Sequence, residues 1–142
     1  MGTTREDVIP TLESMSLFRG LARDELETIA DQLDDATYLA GHGVITEGMG
    51  GPEFFIILDG QAAVIIDDET VATLGPGDFF GEVSALDGGP RTATVKAETL
   101  LRCVTLPVGG LREFLLEHPV VAVNLVPEIA RRFRNATAAR RQ

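Results

Sequence analysis

Apolar positions near the start of the chain recur at helical intervals. Leu26, Ile29, Ala30 and Leu33 share one face, after a turn at Ser16-Leu17-Phe18-Arg19-Gly20. Residues 1–35 therefore read as helical, with Asp34-Asp35 closing the segment. From Ala36 to Pro107 the pattern changes to short apolar runs separated by glycine-rich punctuation. The stretches 54–58 (FFIIL), 62–66 (AAVII), 70–74 (TVATL), 92–97 (TATVKA) and 100–106 (LLRCVTL) read as strands. Asp67-Asp68-Glu69 supplies a hairpin turn between two of them. Several short strands at regular spacing predict a sandwich, jelly roll or barrel. From Gly109 the helical period returns. Leu111, Phe114 and Leu115 share a face, His118-Pro119 breaks it, and Leu125, Ile129 and Phe133 then recur every four residues. Pro127 lies in that last run and either kinks one long helix or starts a new one, with Asn124 as a plausible cap.

The expected fold is mainly β with flanking helices, one domain over residues 1–142. Its parts are a helical segment 1–35, a β-roll or jelly roll (a double-stranded β-helix) over 36–107, and C-terminal helices over 109–140. A hydrophobic share of 44% argues against disorder. The stretch MGTTREDVIP lacks the basic start and apolar core of a signal peptide, and Glu6 stands where an acylation signal needs Ser or Thr. No apolar run approaches the roughly 18 residues of a membrane span. A cytoplasmic protein is expected. Cys103, the one cysteine, sits in a strand-like run and reads as a small buried side chain.

The net charge of −10 repels nucleic acid and anionic membranes. Arg131, Arg132, Arg134, Arg140 and Arg141 cluster at the end, where they suit a solvated helix face and its dipole, with no base-reading motif beside them.

The chemistry concentrates between Gly75 and Val95. Gly77-Asp78-Phe79-Phe80-Gly81 precedes a lone carboxylate, Glu82, then a short helix-capable piece from Val83 to Leu86, a turn at Gly88-Gly89-Pro90, and Arg91. Arg91 is the only lysine or arginine between Arg23 and Lys96. Glycines let backbone N–H groups approach an anion, and a guanidinium offers a planar fork to phosphate oxygens. A carboxylate beside them would accept a hydrogen bond from a hydroxyl. Anion plus hydroxyl describes a sugar phosphate; a Glu82–Arg91 salt bridge within a turn is the other reading.

The segment resembles the phosphate-binding cassette of cyclic-nucleotide-binding domains, as in bacterial catabolite-activator-type regulators, protein kinase A regulatory subunits and nucleotide-gated channels. Phe80-Gly81-Glu82 and Pro90-Arg91-Thr92-Ala93-Thr94-Val95 match its two halves, with the family's spacing between glutamate and arginine. Gly41-His42-Gly43-Val44-Ile45-Thr46-Glu47-Gly48 resembles the family's early turn–strand element, and Phe54 to Val64 its strand–glycine–strand element. The likeness runs from about Leu17 to Arg134. Ala85 stands where a larger leucine is common, and Gly50-Gly51 replace a more polar turn.

The resemblance implies a ligand site on Phe80, Gly81, Glu82, Val83, Ser84, Arg91 and Thr92. Glu82 would hold the ribose 2′-hydroxyl and Arg91 the exocyclic phosphate oxygens, with backbone N–H groups near Ser84 and Thr92 completing the cradle. The purine would lie against Val71 and Ala72, and Arg132 or Phe133 would cover it. Cyclic AMP is favoured over cyclic GMP as the ligand, with no further cofactor. The chain would act as a sensor whose C-terminal helices move on binding, and the stripe Leu125-Ile129-Phe133 could pair with a second copy. With no room before Gln142 for a helix-turn-helix, this chain alone is not expected to bind DNA; it is either a stand-alone module or the sensory part of something longer.

Two other readings compete. A cupin-type metal enzyme shares the jelly roll, and Glu53 and Gly60 have its Glu-x₆-Gly spacing. Yet no His-x-His precedes Glu53, and His42 and His118 fall in different parts of the chain. A degenerate domain kept only for protein contacts would be expected to lose the glutamate or the arginine, and both are present. No catalytic triad, P-loop or paired catalytic carboxylate is evident, so catalysis is not expected.

Overall fold

The structure, a computed structural model, describes residues 5–106 and 110–140. Helix α1 (Arg5–Ser14), a 3₁₀ turn (Ser16–Phe18) and helix α2 (Arg23–Gln32) precede the strands. Asp34 and Asp35 do not close the helical segment as expected. They open strand β1 (Asp34–Tyr38), because α2 already ends at Leu33, which turns to extended backbone. Strands β2 (Gly43–Ile45), β3 (Phe54–Asp59), β4 (Ala62–Ile66), β5 (Glu69–Leu74) and β6 (Phe79–Phe80) follow. Then come helix α3 (Glu82–Asp87), strands β7 (Thr94–Ala97) and β8 (Leu101–Leu106), and helices α4 (Gly110–Glu117) and α5 (Pro119–Arg140). Pro107 and Gly109, placed by the sequence at the boundary between roll and helices, lie outside the described residues, as do residues 1–4 and 141–142.

The strands form two four-stranded antiparallel sheets, ordered β1-β8-β3-β6 and β2-β7-β4-β5. This is the expected mainly-β roll with flanking helices. Side chains alternate across a strand, and that alternation builds two cores. Phe54, Ile56, Phe79, Val104 and Leu106 pack against the helices, with Leu12, Ile29, Val121 and Leu125. Phe55, Ile57, Phe80, Leu101 and Cys103 point into the roll, with Val95 and Ala97. The first sheet is thus covered on both faces, which is why FFIIL reads as one unbroken apolar run. The β4–β5 turn is Asp67-Asp68, both in the left-handed region at φ 51° and 65°, as a two-residue hairpin demands.

Helix α5 runs unbroken through Pro127. Asn124 caps nothing; its side-chain amide donates to the carbonyls of Leu17 and Arg19 at 3.0 and 2.8 Å. The stripe Leu125-Ile129-Phe133 is also split. Leu125 is buried and Ile129 packs on the core, whereas Phe133 is 61% exposed. Each four-residue step overshoots a turn by about 40°, so Phe133 has rotated away from Leu125 by about 80°. It joins an outer row with Val123, Val126 and Ala130 instead. No described helix is long and apolar enough to cross a membrane.

Candidate functional site

Two aromatic residues fix the start of the site. Phe79 turns toward the helices and Phe80 into the roll, where it stacks on Phe55 with ring centroids 4.7 Å apart. The turn before them is closed by Asp78, whose carboxylate accepts from the Gly75 N–H at 2.8 Å. Gly81 follows with φ 85°, a left-handed conformation that favours glycine, and it caps α3. A side chain there would also collide with the Glu53 carbonyl at 2.6 Å and the Arg91 guanidinium at 2.9 Å. The first N–H of α3 that bonds back is that of Ala85, to the Gly81 carbonyl at 3.2 Å, so the N–H groups ahead of it have no helical acceptor. Glu82 and Ser84 are buried, and Val83 is exposed. Gly88, in the left-handed region, ends the helix by bonding to the Ser84 carbonyl.

Arg91 reaches the same point from the far side. Only 3% of it is exposed, in the company of backbone oxygens. Its guanidinium donates to the carbonyls of Gly81 at 3.2 Å and Glu53 at 3.1 Å. Burial lowers its pKa, while the Glu53 and Glu82 carboxylates act to keep it charged. The turn-bridging Glu82–Arg91 salt bridge is therefore not what holds this segment. Glu82 pairs instead with Arg132, fifty residues on in sequence, at 3.1 Å. Arg132 also donates to the Phe79 carbonyl at 2.7 Å and lies 4.0 Å over the Phe79 ring.

The structure thus brings Phe80, Gly81, Glu82, Ser84 and Arg91 together, with Arg132 behind Glu82 on the side of Phe79. Thr92 is exposed on the run from Arg91 into β7. Val71 and Ala72 are both exposed on β5 and alternate to opposite faces of its sheet. Ala72 lies opposite Val64 and Leu74 opposite Ala62, and these partners pack into the roll. Val71 alternates to the other face and is 54% exposed. Of the two proposed covers, Arg132 is engaged at Glu82 and Phe133 faces outward. The pairing of Arg132 with Glu82 leaves no signal in the sequence, since no local spacing links helix α5 to α3.

The motif elements that suggested a cupin have other uses. Glu53 offers its carbonyl to Arg91, and Gly60, at φ 92°, lets the Leu100 backbone approach. Among the described residues no cluster of three His, Cys, Asp or Glu side chains suits a metal. Cys103 is 1% exposed and its thiol is pushed up to about 12 by burial, so it stays a protonated core group at neutral pH.

A β-roll with a glycine-capped turn that gathers a buried carboxylate and a buried arginine is the architecture of a ligand-binding regulatory domain. The chain belongs to the cyclic nucleotide-binding domain family, whose profile matches residues 36–118. It is similar to the CRP-like cAMP-activated global transcriptional regulator of Mycobacterium tuberculosis, 30% identical over 128 residues, covering 87% of this chain and 57% of the relative. It is also similar to the cAMP-dependent protein kinase regulatory subunit of Yarrowia lipolytica, 39% identical over 106 residues, covering 73% of this chain and 28% of that one. Among solved structures, a cyclic nucleotide-binding domain from Methylobacillus flagellatus superposes with a TM-score of 0.81 at 25% identity, over 95% of this chain and 81% of that one. The two curated relatives are regulatory proteins by name, and the chain spans little more than half of one and under a third of the other.

Proposed function

We propose that this chain is a cyclic-nucleotide sensor and that its ligand is cyclic AMP. The observation that carries this is the caged guanidinium of Arg91. It is buried, positively charged in a chain of net charge −10, and held by two carbonyls, out of the five N–H donors a guanidinium has. The N–H groups at the start of α3 and after Arg91 would complete a phosphate cradle, and Glu82 would accept the ribose 2′-hydroxyl. Ala72, exposed on β5 opposite Val64, would meet the purine. Cyclic AMP is preferred to cyclic GMP because both curated relatives are named for it. The proposed location of the sensor is the cytoplasm, in keeping with its similarity to regulators named for cyclic AMP. DNA binding is not assigned to this chain alone.

Binding would be transmitted through α5. Arg132 shares the Glu82 carboxylate with the ribose site, so a ligand hydroxyl arriving there changes what holds the helix. The outer row of α5 gives this helix a second partner. Val123, Val126, Ala130 and Phe133 follow a three-four-three spacing, the seam of a two-helix coiled coil. A second copy of the chain would cover it. Val126→Glu with Phe133→Glu should then halve the mass seen by light scattering, and an unchanged mass would remove the dimer from this proposal.

A thermal-shift titration tests the ligand. Cyclic AMP at a hundred times its Kd should stabilise the fold by about 2.7 kcal/mol, cyclic GMP less, and plain AMP little. An equal shift with AMP would rule out recognition of a cyclic phosphate.

A further inference from the structure

The residues that hold Arg91 lie mostly outside the cassette. The loop between β2 and β3 grips it along both main chain and side chain. The Gly48 N–H donates to the Arg91 carbonyl at 2.9 Å, and the Arg91 N–H donates to the Met49 carbonyl at 2.8 Å. The Glu53 carbonyl takes the guanidinium at 3.1 Å. Between these anchors stands Gly51, and the guanidinium fills the space that a Cβ there would need. A Cβ at residue 51 would sit 3.1 Å from Nη2, 3.2 Å from Nε and 3.4 Å from Cζ of Arg91. The neighbouring Gly50 has nothing within 4 Å of the equivalent position.

We propose that Gly51 is a positioning residue for the anion-binding arginine: its missing side chain leaves the slot in which the Arg91 guanidinium lies flat. The obstruction met by a methyl group there is the far end of a side chain and not backbone. The side chain therefore yields first, and the planar fork leaves the two carbonyls that aim it. A phosphate bound bidentately is sensitive to such a shift, because both N–H groups must meet their oxygens together. The φ of Gly51, 155°, adds a backbone cost to any substitution. That cost is the same whether residue 91 is arginine or alanine, so it cancels in a double-mutant cycle.

This rests on the cyclic-nucleotide reading for its functional consequence, but its geometry is testable without ligand. In the ligand-free chain, the Nε–H resonance of Arg91 should move in Gly51→Ala and stay in place in Gly50→Ala. Calorimetry should find cyclic AMP bound about tenfold or more weakly by Gly51→Ala, and normally by Gly50→Ala. Urea unfolding should show a smaller stability loss for Gly51→Ala in the Arg91→Ala background than in the wild-type background, since the colliding group is gone and the backbone cost cancels. An unmoved Arg91 resonance, equal affinity losses in the two glycine variants, or a stability loss on Gly51→Ala that is no smaller in the Arg91→Ala background overturns the proposal. If the wild-type chain binds no cyclic nucleotide at all, the functional reading falls, and the Arg91 resonance alone decides the role of Gly51.

Discussion

Arg91→Ala is expected to weaken cyclic AMP binding by more than tenfold. A hydrogen bond to a charged group contributes about 1.5–3 kcal/mol, and each 1.4 kcal/mol is about a factor of ten in Kd. The guanidinium is already desolvated and already aimed, so little of its contribution is spent on ordering it when ligand arrives. The fold will also register the change. The Gly81 carbonyl keeps its bond from the Ala85 N–H, but the Glu53 carbonyl loses its side-chain donor. Arg91→Lys should fall between, since an ammonium keeps the charge but cannot reach both carbonyls with one planar fork. Calorimetry on the three proteins is the measurement, and equal affinities would remove Arg91 from the site.

Arg132→Ala is expected to lower the stability of the unliganded chain by about 2 kcal/mol. The bond to the Phe79 carbonyl comes from a charged donor and is the shortest of the set, and such bonds contribute about 1.5–3 kcal/mol when dry. Arg132 is about one-third exposed, with 35% of its side chain accessible, so the lower end applies. Stacking on Phe79 adds about 0.5 kcal/mol. Glu82, with 10% of its side chain accessible, would lose its ion-pair partner. Urea unfolding followed at two probes would show the loss, and a midpoint matching wild type would mean that the contact holds nothing. Binding separates the roles further. If Arg132 acts through the carboxylate that meets ribose, its loss should alter affinity for cyclic AMP and leave that for the 2′-deoxy analogue unchanged.

Much of this arrangement was legible in the sequence, and the parts that were not share a cause. β3 and β4 stood out because their residues are apolar and bounded by turns. β1 did not, because it lies at a sheet edge and offers only Ala36 and Tyr38 to the core. Its two aspartates look like a helix stop because local propensity carries no information about the β8 strand they pair beside. β6 is two residues long and has no period to read. Glu82 and Arg91 emerged from their motif, but their immediate partners did not. Arg132 comes from α5 and Glu53 from a loop thirty-eight residues before Arg91, and only the closed roll makes them neighbours. Gly51 looked like a departure from a polar turn, since nothing nearby in sequence says that a guanidinium needs the room. Val71 and Ala72 are neighbours in sequence, but strand alternation sends them to opposite faces.

Pro127 gives α5 an uneven character. Lacking an N–H, it leaves the Val123 carbonyl without its helical donor, on the exposed side of the helix. Before that point Val121 and Leu125 are sealed in the core and Asn124 is tied to the Leu17 and Arg19 carbonyls. After it, the ties are Ser16 to Glu128, the flank of Ile129, and Arg132 on Glu82. The helix is a welded half and a latched half joined at a bond that is already missing. Any bend set off by the loss of the Arg132 latch would concentrate there and carry Phe133 with it, leaving the core as it was.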